Sequence, residues 1–211
     1  SPSSTIISMF DILCFTSRAL CPDRAAFLRQ IERLAAQRPA AIILREKDLT
    51  PTAYEALARE VLAICRWYGT SCTLHHFARV ARNLGCDRLH MPLAELERMS
   101  EEERRHFSVL GASCHSADEA KRAAALGCRY ITAGHIFETD CKRGLPGRGL
   151  SFLREVCQAV TLPVYAIGGI GPETVAAVKE AGAAGACVMS GAMRCADPAA
   201  YFEQLLTNVS Q

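Results

Sequence analysis

The chain has 211 residues, half of them hydrophobic, with a formal net charge of +2 and a pI near 8.0. That composition supports a sizeable core in one domain over 1–211. With cations interspersed among acids, it excludes an electrostatic nucleic-acid footprint. No apolar run reaches the roughly 18 residues of a membrane span. The opening SPSSTIISMF lacks a basic leader with a cleavage pattern, so a cytoplasmic protein without a membrane partner is expected.

Short apolar runs alternate with amphipathic ones along the chain. IISMFDILCFT reads as a first strand, followed by a helix from Arg24 with Phe27, Leu28, Ile31 and Leu34 on its inner face. AAIILRE is a second strand. Thr50-Pro51 supplies a helix cap with proline in the first turn, and Leu57, Val61, Ile64 and Tyr68 follow at helical spacing. SCTLH and DRLH are short third and fourth strands with a helix over 77–84 between them. FSVLGAS is a fifth, after which Ser116 to Glu119 has capping-box spacing. RYITAG, LPVYAIGG and GACVMSG are the sixth to eighth, and Pro172 and Asp197-Pro198 mark the starts of the last two helices.

Strands apolar on both faces and separated by helices predict a parallel sheet covered on all sides. About eight such units in 211 residues fit a single closed (β/α)8 barrel. A doubly wound open sheet is the alternative. The eleven cysteines are odd in number, contain no CxxC pair and fall on strands and buried helix faces, so reduced core residues are expected. The six histidines lack metal-ligand spacing; His75 and His76 are adjacent and project to different faces.

In such a barrel the chemistry sits at the carboxyl ends of the strands. After the second strand, Arg45 and Lys47 lie two apart and project to the same side, suited to an anion such as a carboxylate. The bland alternative is a solvated loop in which Glu46 and Asp48 neutralise them. Ser113 and His115 follow the fifth strand. Gly168-Gly169 after the seventh, and Met189, Ser190 and Gly191 after the eighth, lie where barrels commonly bind phosphate through backbone N–H groups. Turn-making alone would also account for these glycines.

The stretch TAGHIFETDCKRGLPGRGL, from Thr132 to Leu150, is long for a strand–helix connection. Its glycines allow it to fold over a ligand, and Lys142, Arg143 and Arg148 offer anion contacts. His135, directly after the sixth strand, is the candidate proton carrier.

LREKDL, GASCHS, that long loop, PVYAIGGI and VMSG together resemble the thiamine phosphate synthase superfamily over nearly the whole chain, and the loop looks particularly like its thiazole tautomerase (TenI-type) branch. Synthases of this kind carry an Asn-Asp pair after the third strand and an Asp after the fourth, which hold Mg²⁺ against a pyrimidine diphosphate. Here those places read LHHFARV and LHMPLAEL. The synthase-like loop has Gly-Pro and a Pro-Thr-x-Thr-Lys run. This chain has His135, Glu138 and Cys141 in place of its two prolines and second threonine, while keeping Thr139 and Lys142.

The resemblance therefore implies an isomerase: a thiazole tautomerase of thiamine biosynthesis working without metal or organic cofactor. His135 would move the proton. Arg45 or Lys47, with Ser113, Thr139 and Lys142, would bind substrate, and the two glycine loops would hold the phosphate. The partner would be a small thiazole phosphate, with a homodimer expected from base rates. The alternatives are a thiamine phosphate synthase and a non-catalytic thiazole-phosphate-binding regulator.

Overall fold

The computed structural model describes residues 10–139 and 144–210. Eight parallel strands run in chain order: β1 (Asp11–Phe15), β2 (Ala41–Leu44), β3 (Cys72–His75), β4 (Arg88–Pro92), β5 (Val109–Cys114), β6 (Tyr130–Ala133), β7 (Val164–Ala166) and β8 (Gly185–Val188). β8 pairs back onto β1 through Leu13 and Cys187, which closes the barrel and excludes the open sheet. Most strand side chains are apolar because both faces are covered, and Thr73, His75, His90 and Thr132 are the buried polar exceptions among them. Leu13, Phe15, Ile43, Tyr130, Tyr165 and Cys187 fill the interior, and a larger apolar cluster lies outside the strands.

The principal outer helices are α1 (Arg24–Ala36), α2 (Pro51–Tyr68), α3 (Ala78–Asn83), α4 (Leu93–Arg98), α5 (Glu101–Arg105) and α6 (Ala117–Ala125). α7 (Gly149–Ala159), α8 (Val175–Glu180), α9 (Ser190–Arg194) and α10 (Pro198–Val209) complete the set. α2 starts as its sequence requires: the Thr50 side chain accepts from the Ala53 N–H, and Pro51, which lacks an N–H, occupies the first turn. It stops at Gly69, whose φ of 72° suits a residue without Cβ.

The differences from the sequence reading are local. β1 begins at Asp11, and the part of the expected strand before Phe10 lies outside the described residues. α4 and α5 occupy a stretch to which periodicity assigned no helix, because five- and six-residue helices show too few turns to register. The reciprocal capping box is at Ser100 and Glu103. Ser116 does accept from the Glu119 N–H, but the Glu119 carboxylate bonds the His115 N–H instead of reaching back to Ser116. α8 begins at Val175, three residues beyond Pro172.

All ten described cysteines are free, six of them buried. Burial pushes the Cys114 and Cys128 thiols up to about 12. Among the described residues no helix is long and apolar enough to cross a membrane.

Candidate functional site

The carboxyl ends of β1 and β2 are tied together by one buried acid. Glu46 is 5% exposed; it accepts from the Thr16 hydroxyl at 2.5 Å and from the Arg18 backbone N–H at 3.0 Å. The Arg18 guanidinium bonds Glu46 at 3.1 Å and grips Asp48 through two N–H groups at 3.0 and 3.1 Å. Both carboxylates that could have neutralised Arg45 and Lys47 are thus spent on Arg18. Among the described residues neither Arg45 nor Lys47 has a carboxylate partner. Arg45 is half-buried, its N–H held by Thr16, and its charge bears on the rings of His75 and His90 in the barrel; Lys47 is exposed.

Inside the mouth stand two buried imidazoles. The rings of His75 and His90 stack with centroids 5.5 Å apart. Burial, then the charges of His90 and Arg45, drives His75 down to about 2; burial, then Arg45, drives His90 to about 3. Both are neutral at physiological pH. His90 bonds the Tyr130 hydroxyl through Nδ1 at 3.0 Å and the Ser113 hydroxyl through Nε2 at 2.8 Å. His75 Nδ1 is buried without a partner, whereas His76 turns outward to Glu95 at 2.9 Å. The adjacent histidines therefore do face different sides, and only His75 reaches the site.

The loop after β6 is stitched to the loop after β7. The Ile136 N–H donates to the Ile167 carbonyl at 2.9 Å, and the Phe137 N–H to that of Gly168 at 3.1 Å. His135 sits at the mouth, half-buried, with Nε2 buried and unpartnered among the described residues. Arg148 is occupied: it donates to the His115 carbonyl at 3.1 Å and lies over the Phe152 ring. Thr139 is half-buried near the end of the described part of the loop. Lys142, with Cys141 and Arg143, lies outside the described residues.

The glycines after β7 and β8 serve packing first. A Cβ on Gly168 would lie 2.5 Å from His135 Cβ, and one on Gly169 would lie 2.9 Å from Phe137 Cβ. Both also have positive φ, 107° and 67°. A Cβ on Gly191 would overlap the Tyr201 hydroxyl. The N–H groups of Gly168 and Gly169 nevertheless make no hydrogen bond among the described residues. Ser190 and Gly191 open α9, where N–H groups have no intrahelical partner. Because β7 and β8 pair, the two sets of donors are neighbours.

A hard cation such as Mg²⁺ requires oxygen ligands, normally carboxylates. At the carboxyl ends of β3 and β4 stand His75, His76, Met91 and Pro92, and the nearby Glu95 is paired with His76. Among the described residues no group of three His, Cys, Asp or Glu side chains is placed to hold a metal. The residues present do not fit the ion.

Sequence reasoning missed His75 and His90 as parts of the mouth, Tyr130 as the partner of His90 in the barrel interior, and Thr16, Arg18 and Glu46 as the brace of the mouth. Strand alternation carried the signal for the first set, since Thr73 and His75, and His90 and Pro92, fall in step. Nothing in the sequence pairs Arg18 with the second strand.

The family described as thiamine monophosphate synthase matches residues 12–192. A thiamine-phosphate synthase from Caldivirga maquilingensis is 37% identical over 143 residues, 67% of this chain and 69% of that one. One from Thermus thermophilus is 34% identical over 175 residues, 82% of this chain and 84% of that one. In structure the chain is similar to a thiamine phosphate pyrophosphorylase from Pyrococcus furiosus, with a TM-score of 0.79, 25% identity, and 95% and 96% of the two chains covered. These findings overturn the expectation of a thiazole tautomerase, and with it that of an isomerase: the relatives are synthases, which are transferases. The role of His135 as carrier of a tautomerisation proton falls with it.

Proposed function

The chain belongs to the thiamine monophosphate synthase family, and on that premise we propose that it joins a phosphorylated thiazole to a pyrimidine bearing a diphosphate leaving group. The thiazole ring nitrogen forms a bond to the pyrimidine's methylene carbon. The carbon–oxygen bond to diphosphate breaks, the electron pair leaves with that oxygen, and the products are thiamine phosphate and diphosphate. The observation that carries the reading is the match over most of the chain to relatives of that name, combined with a mouth in which, among the described residues, Arg45 and Lys47 have no carboxylate partner.

In this reading the N–H groups of Gly168, Gly169, Ser190 and Gly191, with Met189 beside them, receive the thiazole phosphate. Arg45 and Lys47, with Lys142 assigned by the resemblance, meet the diphosphate and stabilise the charge that develops on it. Ser113 and Thr139 contribute hydroxyl contacts, and His135 Nε2 finds its partner on the ligand. No step is routed through a metal ion. The free thiols of the ten described cysteines suit a reducing compartment, so the cytoplasm is the proposed location. Incubating the protein with both precursors and following diphosphate release by ³¹P NMR tests the reading; no release above a protein-free control would count against it.

A second reading, a regulator that binds thiazole phosphate without turnover, is favoured by one observation: among the described residues the one carboxylate near the ends of β3 and β4, Glu95, is paired with His76, and no metal-holding group stands there. Saturable binding of the thiazole phosphate with no coupling would select it.

A further inference from the structure

Three strands bring together a hydroxyl, an imidazole and a second hydroxyl. His90 lies opposite Gly111 in the β4–β5 ladder, and Gly111 lies opposite Tyr130 in the β5–β6 ladder. Gly111 is what allows the contact, because a Cβ there would overlap the Tyr130 ring. Through that gap the Tyr130 hydroxyl reaches His90 Nδ1 at 3.0 Å, while Nε2 faces the Ser113 hydroxyl at 2.8 Å. His90 is fully buried, and its ring is held edge-on by Phe15 at 5.5 Å.

A neutral imidazole has one N–H and one lone pair, so the two bonds must run in one of two senses. Suppose Nδ1–H donated to Tyr130. The phenol's own proton would then be buried without an acceptor, because among the described residues Tyr130 has no other hydrogen-bond partner. In the opposite sense every buried group is satisfied: Tyr130 donates to Nδ1, and Nε2–H donates to the Ser113 oxygen. That sense leaves the Ser113 proton free. Ser113 is half-buried at the carboxyl end of β5, on the mouth side of His90, and its hydroxyl has no second partner among the described residues.

We infer that His90 is a positioning residue: Tyr130 locks it as the Nε2–H tautomer, and it fixes the Ser113 hydroxyl as a donor aimed into the mouth, where it binds an oxygen of the diphosphate group. The ligand class rests on the synthase reading; the direction of the chain of bonds does not. It follows that His90 is not a base toward Ser113, and that Ser113 is a binding group and not a nucleophile.

The test has two arms. In ¹⁵N-labelled wild-type protein at pH 7, His90, assigned by its loss in His90→Gln, should show a protonated Nε2 and an unprotonated Nδ1. The opposite tautomer would overturn the inference. In titrations with inorganic pyrophosphate, Ser113→Ala should weaken binding about tenfold. His90→Gln, which retains an N–H at the Nε2 position, should bind at least threefold more tightly than His90→Leu. Wild-type affinity in Ser113→Ala, or equal affinity in the Gln and Leu variants, would overturn it. Neither arm requires turnover, so failure of the coupling reaction is read separately.

Discussion

The Arg18 guanidinium lies 3.1 Å from the buried Glu46 carboxylate, and this contact sets the charge of the mouth. Glu46 follows Arg45 in sequence yet serves the preceding loop, so among the described residues the cations at the end of β2 have no carboxylate partner.

The pair separates two substitutions. Glu46→Gln weakens three hydrogen bonds to a buried carboxylate and should lower folding stability by about 1.5–3 kcal/mol in a denaturant titration. Arg45→Ala should leave the denaturation midpoint near the wild-type value. It should weaken inorganic pyrophosphate binding by about ten- to a hundredfold, the range of a charge-assisted contact. Unchanged binding in Arg45→Ala would place the diphosphate elsewhere.

The buried imidazoles make the fold sensitive to acid. Their folded pKa values, about 2 for His75 and about 3 for His90, lie below the unfolded value of about 6.5. The unfolded chain therefore binds more protons, and stability falls as pH drops through and below about 6.5. Between pH 7.5 and 5.0 each histidine should account for about 2 kcal/mol of loss. His75→Phe keeps an aromatic ring against His90 and removes one titrating group, so its stability should decline less steeply with acid. Parallel pH profiles for the two proteins would contradict this.

The glycine loops give a stability prediction that is independent of ligand. Gly169→Ala meets Phe137 and must hold a positive φ, so it should destabilise by about 1–3 kcal/mol. Gly171→Ala is the control: no atom lies within 4 Å of its added Cβ, and its φ is not positive. The control should melt within about 2 °C of wild type, given the small cost of an unstrained surface change. Equal melting of both variants would remove the packing role given to Gly169.

The barrel was legible because alternating apolar and amphipathic segments, closed by caps such as Thr50-Pro51, are local signals. The mouth was legible where position alone decides it, as for Arg45 after β2 and the glycines after β7. The neutralisation of Arg45 and Lys47 was not decidable, because it turns on Arg18, 28 residues before Glu46 and on a neighbouring strand's loop. Nor was the His90–Tyr130 contact, which spans 40 residues and depends on the missing side chain of Gly111. The loop from Thr132 to Leu150 pointed toward a tautomerase, whereas matches over most of the chain point to synthases. A local motif was outweighed by the whole.

The central claim is a coupling reaction whose diphosphate is held by side-chain cations instead of a carboxylate-bound metal. Its most direct test is the initial rate of thiamine phosphate formation from the two precursors, measured in excess EDTA and in millimolar Mg²⁺ against protein-free controls. The account predicts product in both conditions, with EDTA changing the rate less than twofold and Arg45→Ala lowering it at least tenfold. No product in either condition, or product only with Mg²⁺, would contradict it.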